Sequence, residues 1–259
     1  MRDLINVMAL AVLQGVTEFL PVSSSGHLVI AQDALGIKLP GIRLEVMLHL
    51  GTMLSIVVYY RETLRALTRG ILRGERASWA TAGHVALSAV PAVFFYVLFH
   101  DKVDAFYEDS RAVGGFLVFT GVVLCSLRWM RCGANGVTAP RALLVGMAQA
   151  FAVLPGVSRS GMTISAARMA GVEPRKAAEF SFLMCLPLLA GAAALDAVRG
   201  AAETSAALPW WLLLGGALVA AAVGYAALAL LVRVLRGGKF WMFGIYCLAA
   251  GAATLYGVH

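Results

Sequence analysis

A chain of 259 residues that is 60% hydrophobic and only 14% charged, with mean hydropathy +0.81, falls outside the composition of water-soluble domains. Its net charge of +7 does not point to nucleic acid, because the arginines lie in short stretches between apolar runs, where the preference of basic residues for the cytoplasmic side accounts for them. The cysteines (Cys125, Cys132, Cys185, Cys247) lack metal-ligand spacing, which leaves a polytopic α-helical membrane protein as the class.

The first stretch, residues 4–35, carries Asp3 just ahead of it and no small-residue cleavage pattern, so it reads as a membrane element rather than a removable leader. "LPVSSSGH" interrupts it. Pro21 ends a helix and pushes the residue before it out of helical geometry. Irregular backbone at membrane depth is tolerated only where it is buried or lines a cavity, so the stretch is expected to enter and leave on one side.

Six segments follow that are long and apolar enough to span: 45–60, 79–99, 112–128, 179–195, 210–232 and 240–257. The connections alternate in charge. "RETLRALTRGILRGER" is arginine-rich and reads as a cytoplasmic loop, and "HDKVDAFYEDSR" is net acidic and reads as external. "RWMRCGANGVTAPR" and "RVLRGGK" return to the cytoplasm, while "DAVRGAAETSAALPW" lies outside, as do both termini. Residues 141–172 form a second interrupted stretch, broken by "LPGVSRSGMT" at Pro155. Trp79, Trp210, Trp211 and Trp241 near span ends read as interfacial belt residues. "GGALVAAAVG" (215–224) reads as a small-residue face for close helix packing, and Pro187 as a kink inside its span.

The two interrupted stretches resemble each other. Both contain Leu-Pro followed by Ser-x-Ser-Gly, and Pro155 follows Pro21 by 134 residues. Each is followed about twenty residues later by an apolar span that opens with glutamate, Glu45 or Glu179. One re-entrant element plus three spans is an odd number of crossings, so a second copy runs inverted. The reading is therefore two repeats, 1–134 and 135–259, within one membrane domain, their breaks meeting near the midplane.

The breaks hold the chemistry. Gln14 and Glu18, four apart, share one helix face ahead of Ser23, Ser24, Ser25 and His27. A carboxylate at membrane depth costs about 2.5–3.5 kcal/mol on insertion scales and needs a partner. Arg159 is that partner if Glu18 only holds the repeats together. Alternatively, Glu18 binds a divalent cation. In the second break, Ser158, Arg159, Ser160, Gly161 and Thr163 open a helix, where backbone N–H groups, the positive helix end and a guanidinium suit a phosphate. Taken together, these residues suit phosphoryl transfer, with a hydroxyl or His27 attacking or relaying a proton. His49 reads more readily as a packing residue than as part of the site.

"QGVTEFLPVSSSGH" and "LPGVSRSGMTIS", with "EFSFL" downstream, resemble the two signature motifs of the undecaprenyl-diphosphatase (bacitracin-resistance) family, in order and at matching spacing along essentially the whole chain. The resemblance implies removal of the terminal phosphate of undecaprenyl diphosphate, a polyprenyl diphosphate lipid, with a divalent cation (Mg2+ or Ca2+). That activity would recycle the lipid carrier of cell-wall synthesis and confer bacitracin resistance. The setting implied is the bacterial inner membrane; the cleft is expected to face outward because Glu18 and His27 belong to the element that enters from that side.

By resemblance, Glu18 matches an essential glutamate for metal or base duty, Ser24 the proposed nucleophile and His27 the motif histidine. Ser158, Arg159, Ser160 and Thr163 match the phosphate-binding motif, with Ser23, Ser25 and Gly161 beside them. Gln14 stands where many members carry glutamate, so Glu18 is expected to bear the metal largely alone. A transporter of a polyprenyl phosphate is the alternative that an inverted repeat by itself would suggest, and a homodimer is left open.

Overall fold

The computed structural model describes residues 2–35, 42–130, 133–200 and 208–257, and among these the chain is helical with no strand beyond one isolated bridge between Asn135 and Val172. The helices are α1 (Arg2–Phe19), α2 (Ser24–Leu35), α3 (Ile42–Tyr59), α4 (Arg61–Leu72), α5 (Arg76–Tyr107), α6 (Ser110–Ser126), α7 (Ala139–Phe151), α8 (Arg159–Met169), α9 (Pro174–Gly200), α10 (Trp210–Arg236) and α11 (Met242–Gly257). Three of them, α5, α6 continued by the 3₁₀ turn Leu127–Trp129, and α10, are long and apolar enough to cross a membrane. Cys132 and residues 201–207 of the "DAVRGAAETSAALPW" connection lie outside the described residues.

Both interrupted stretches are helix–break–helix elements. α1 stops as Pro21 approaches, and α2 begins after Ser23, which adopts the left-handed region at φ 68°. The second break runs from the end of α7 through Pro155 and Gly156 to Ser158. The Ser158 Oγ caps α8 by accepting from the Gly161 N–H at 3.1 Å. Each remaining turn has a local cause. The Asp109 carboxylate caps α6 through the Arg111 and Ala112 N–H groups, and Gly74 at φ 71° closes α4.

Two departures from the sequence reading stand out. The arginine-rich segment after α3 is a helix, α4, with Leu64, Leu67 and Ile71 half-buried on one face and Arg61, Arg65 and Arg69 exposed. The second span extends from 79–99 to Arg76–Tyr107, so much of the acidic connection is its last turns.

Packing crosses between the halves. The first helix of each interrupted element lies against the long helix of the other half, α1 on α10 and α7 on α5, while α3 packs on α9 and α6 on α11. α3 also packs on α10, whose small-residue face allows a close approach: a side chain at Gly51 of α3 would collide with the Ala217 backbone carbonyl. The larger apolar cluster, including Phe19, Val22, Ile56, Leu124, Ile164 and Phe182, is drawn from both halves and includes residues of the first break, of the helix entering it and of both helices flanking the second. By contrast, the outer face of α5 is bare, with Val90, Phe94 and Val97 60–65% exposed. Trp79, Trp210 and Trp211 are also exposed near helix ends, but Trp241 is half-buried under the Arg128 guanidinium, 4.5 Å from its ring centroid.

Candidate active site

The two breaks are stitched to one another. The Ser23 Oγ accepts from the Gly156 N–H at 3.1 Å and from the Gly26 N–H at 3.3 Å, which ties the start of α2 to the second break. In return, the Ser160 Oγ donates to the Leu20 carbonyl at 3.4 Å, tying the start of α8 to the first. Gly156 is needed where it stands: it sits at φ 95°, and a Cβ there would strike the Val113 carbonyl. The first turns of two helices therefore converge at the junction, each carrying unpaired N–H groups and a positive helix end.

Glu18 lies at this junction, 5% exposed. Arg159 Nη2 pairs with its Oε1. Its Oε2 accepts from the Ser24 Oγ at 2.6 Å and from the Gln14 Nε2 at 3.1 Å. A carboxylate taken from water into such a place is retained only if paired and hydrogen-bonded, and here both oxygens are engaged. Ser24 opens α2 and is only partly buried, so its hydroxyl is both held by a base and reachable.

His27 sits apart from that cluster. Its Nδ1 is 2.8 Å from the Ser23 carbonyl, which can only accept, so Nδ1 carries the proton. In the neutral ring Nε2 is then the acceptor, and the Tyr246 hydroxyl of α11 donates to it at 2.7 Å while the two rings stack. The remaining hydroxyls are spent largely on the protein. Thr163 donates to the Arg159 carbonyl at 2.7 Å and meets the Ser181 Oγ at 2.6 Å, which fixes α8 to α9. Ser158 donates its N–H to the Thr120 Oγ1 at 3.2 Å, its Oγ lies 3.4 Å from that of Ser160, and Ser25 Oγ is 3.3 Å from Ser23 Oγ.

Sequence reasoning missed four contributors. Tyr246, Thr120 and Ser181 are far along the chain from the groups they hold and carry no motif. His49, read from the sequence as a packing residue, brings Nε2 to 3.9 Å from Glu18 Oε2 while its Nδ1 bonds the Glu45 carbonyl at 2.9 Å. A signal did exist for His49, a histidine one helical turn after Glu45 in an apolar span.

The donor set fits a divalent cation. The Gln14 Oε1 is buried and has no partner, although its amide is bonded to Glu18. His49 presents an unprotonated Nε2 when neutral, its other nitrogen being fixed by a carbonyl, as is usual for metal-binding histidines. No group of three or more His, Cys, Asp or Glu residues suited to a metal occurs among the described residues, so an ion would take its remaining ligands from phosphate oxygens and water, the habit of magnesium.

Comparison with known proteins places these residues in a common frame. The chain is 37% identical to the undecaprenyl-diphosphatase of Desulfosudis oleivorans and 36% identical to that of Desulfatibacillum aliphaticivorans, in each case over 97% of both chains. It is 33% identical to the undecaprenyl-diphosphatase of Halothermothrix orenii over 96% of both. The family model described as bacitracin resistance protein BacA matches residues 7–253, so that this multi-pass membrane protein, with both breaks inside the match, belongs to the BacA family.

Proposed function

We propose that the chain hydrolyses undecaprenyl diphosphate to undecaprenyl phosphate and inorganic phosphate, recycling the lipid carrier of cell-wall synthesis and thereby conferring bacitracin resistance. The observation that carries this reading is the hydrogen bond from the Ser24 hydroxyl to the buried Glu18 carboxylate, beside the Arg159 guanidinium and two converging helix N-termini. A binding site for transport needs the cation and the N–H groups but not a hydroxyl poised against a base. The relatives named above are diphosphatases, and none of them supports the transporter reading.

In the reaction, Arg159 leaves Glu18 for the terminal phosphate, and free N–H groups of the first turns of α2 and α8 bind its equatorial oxygens. Ser24 Oγ attacks the terminal phosphorus as its proton passes to Glu18, and the bond from that phosphorus to the bridging oxygen breaks, releasing the lipid monophosphate. Water then cleaves the phosphoserine: Glu18 returns its proton to the departing Ser24 Oγ, takes one from the attacking water, and loses that proton to solvent. Glu18, Gln14 Oε1 and His49 Nε2 would hold the divalent cation, which supplies charge neutralisation of the diphosphate when bound. His27, bonded to the Tyr246 hydroxyl at 2.7 Å and to the Ser23 carbonyl at 2.8 Å but not to Glu18 or Arg159, supports the Ser23 turn rather than attacking.

We take the six apolar segments to span the bacterial inner membrane, with the halves as inverted repeats and the cleft open to the outside. The reciprocal packing of α1 on α10 and α7 on α5 supports this arrangement.

The test is phosphate release from a polyprenyl diphosphate by detergent-purified protein, with Mg2+ or Ca2+ and with EDTA, for the wild type and Ser24→Ala. Release should require the metal and fall by about 10²–10⁴-fold in Ser24→Ala while lipid binding persists. Binding without release in the wild type would return the transporter reading to first place.

A further inference from the structure

A polar cavity of about 260 Å³ lies away from the breaks, where the ends of α3 and α10 meet the starts of α4 and α9. Arg175, Glu179 and Arg236 line it together with Tyr59 and Tyr60. None of these three charged side chains makes an ion pair within 4.0 Å or a hydrogen bond with another described residue. Arg175 and Glu179 are one turn apart on α9, close enough for the Arg175 charge to act on Glu179 but without a direct contact. The other carboxylate in the wall, Glu62, is taken by Arg61 and Arg65. The cavity thus offers two exposed guanidinia and one half-buried carboxylate, none hydrogen-bonded to another described residue.

We propose that this cavity binds the head group of a zwitterionic aminophospholipid, the phosphate on Arg175 and Arg236 and the primary ammonium on Glu179. A simple anion would satisfy the arginines but leave Glu179 beside a like charge, whereas a phosphate joined to an ammonium by a short linker satisfies all three. Guanidinium forks suit phosphate oxygens, and an N–H-bearing ammonium can donate to a carboxylate where a quaternary amine cannot. The position favours a lipid over a soluble phosphate. The cavity is roofed by the start of α4, whose half-buried leucines and exposed arginines form an amphipathic helix of the kind that lies in a membrane surface.

The experiment is native mass spectrometry of the full-length protein titrated with phosphatidylethanolamine, phosphatidylglycerol and phosphatidylcholine, for the wild type, Arg236→Gln and Glu179→Gln. A parallel arm adds soluble O-phosphoethanolamine or inorganic phosphate as competitor. The expected result is preferential retention of phosphatidylethanolamine, weakened about tenfold by either substitution, which is what losing one charge-assisted hydrogen bond costs. O-phosphoethanolamine should compete better than inorganic phosphate. Equal retention of the three lipids, retention unchanged by both substitutions, or equal competition by the two soluble anions would each overturn the assignment. Phosphate release by the variants serves as the control for folding and keeps this question separate from the proposed diphosphatase activity, because neither residue touches the breaks.

Discussion

Glu18 and Arg159 are each other's nearest opposite charge across 141 residues of chain, and the pair has two duties that substitutions can separate. Removing one partner of a buried ion pair costs about 3–5 kcal/mol because the other charge is stranded, while replacing both with neutral groups costs far less. Arg159→Met should therefore lower the detergent unfolding midpoint markedly. Adding Glu18→Gln to it should restore most of that loss, with phosphate release still absent. An unfolding midpoint unchanged in Arg159→Met would show that the pair holds nothing together. Tyr246→Phe keeps the stacked ring but removes the hydroxyl that fixes His27, and kcat/KM should fall about three- to tenfold, the worth of one neutral hydrogen bond. In a His27→Ala background the same substitution should have no effect; an undiminished effect there would sever Tyr246 from His27. Glu18, Ser24 and Arg159 were visible in the sequence because each sits in a polar motif inside an apolar stretch. Tyr246 was not, since it looks like any interfacial tyrosine and meets His27 only through the packing of α11.

At the scale of elements, the breaks depend on backbone approaches that side chains would block. Gly156 combines φ 95° with contact against Val113, so Gly156→Ala should destabilise by about 1–3 kcal/mol and separate the start of α8 from Ser23. Phosphate release and unfolding midpoint should fall together; a folded, fully active Gly156→Ala would contradict the stitched geometry. Gly51→Val tests the α3–α10 crossing in the same way, and because α3 carries His49, it should also weaken metal activation. The proline breaks, capping serine and apolar runs made most elements legible. α4 was not, because the density of arginine suggested a loop although Leu64, Leu67 and Ile71 already kept the helical spacing. The end of α5 was likewise hidden by acidic residues that hydropathy counts as a connection.

At the scale of the molecule, charge distribution and reciprocal packing argue for one arrangement in the membrane. If α4 faces the cytoplasm, a cysteine at Thr68 should resist a membrane-impermeant thiol reagent in intact cells, whereas one at Lys102 should react. Equal labelling of both would remove the orientation. The meeting of the two breaks was legible from the duplicated Leu-Pro and Ser-x-Ser-Gly patterns, but which helices pack on which was not, because apolar faces alone do not name their partners. The central claim is that the two breaks form one catalytic centre. The most direct measurement is metal-dependent phosphate release from a polyprenyl diphosphate by purified Glu18→Gln and Arg159→Ala proteins, each confirmed folded. Loss of turnover in both, with the residues 141 positions apart, is the expected result. Near wild-type turnover in a folded Arg159→Ala protein would confine catalysis to the first break and contradict the account.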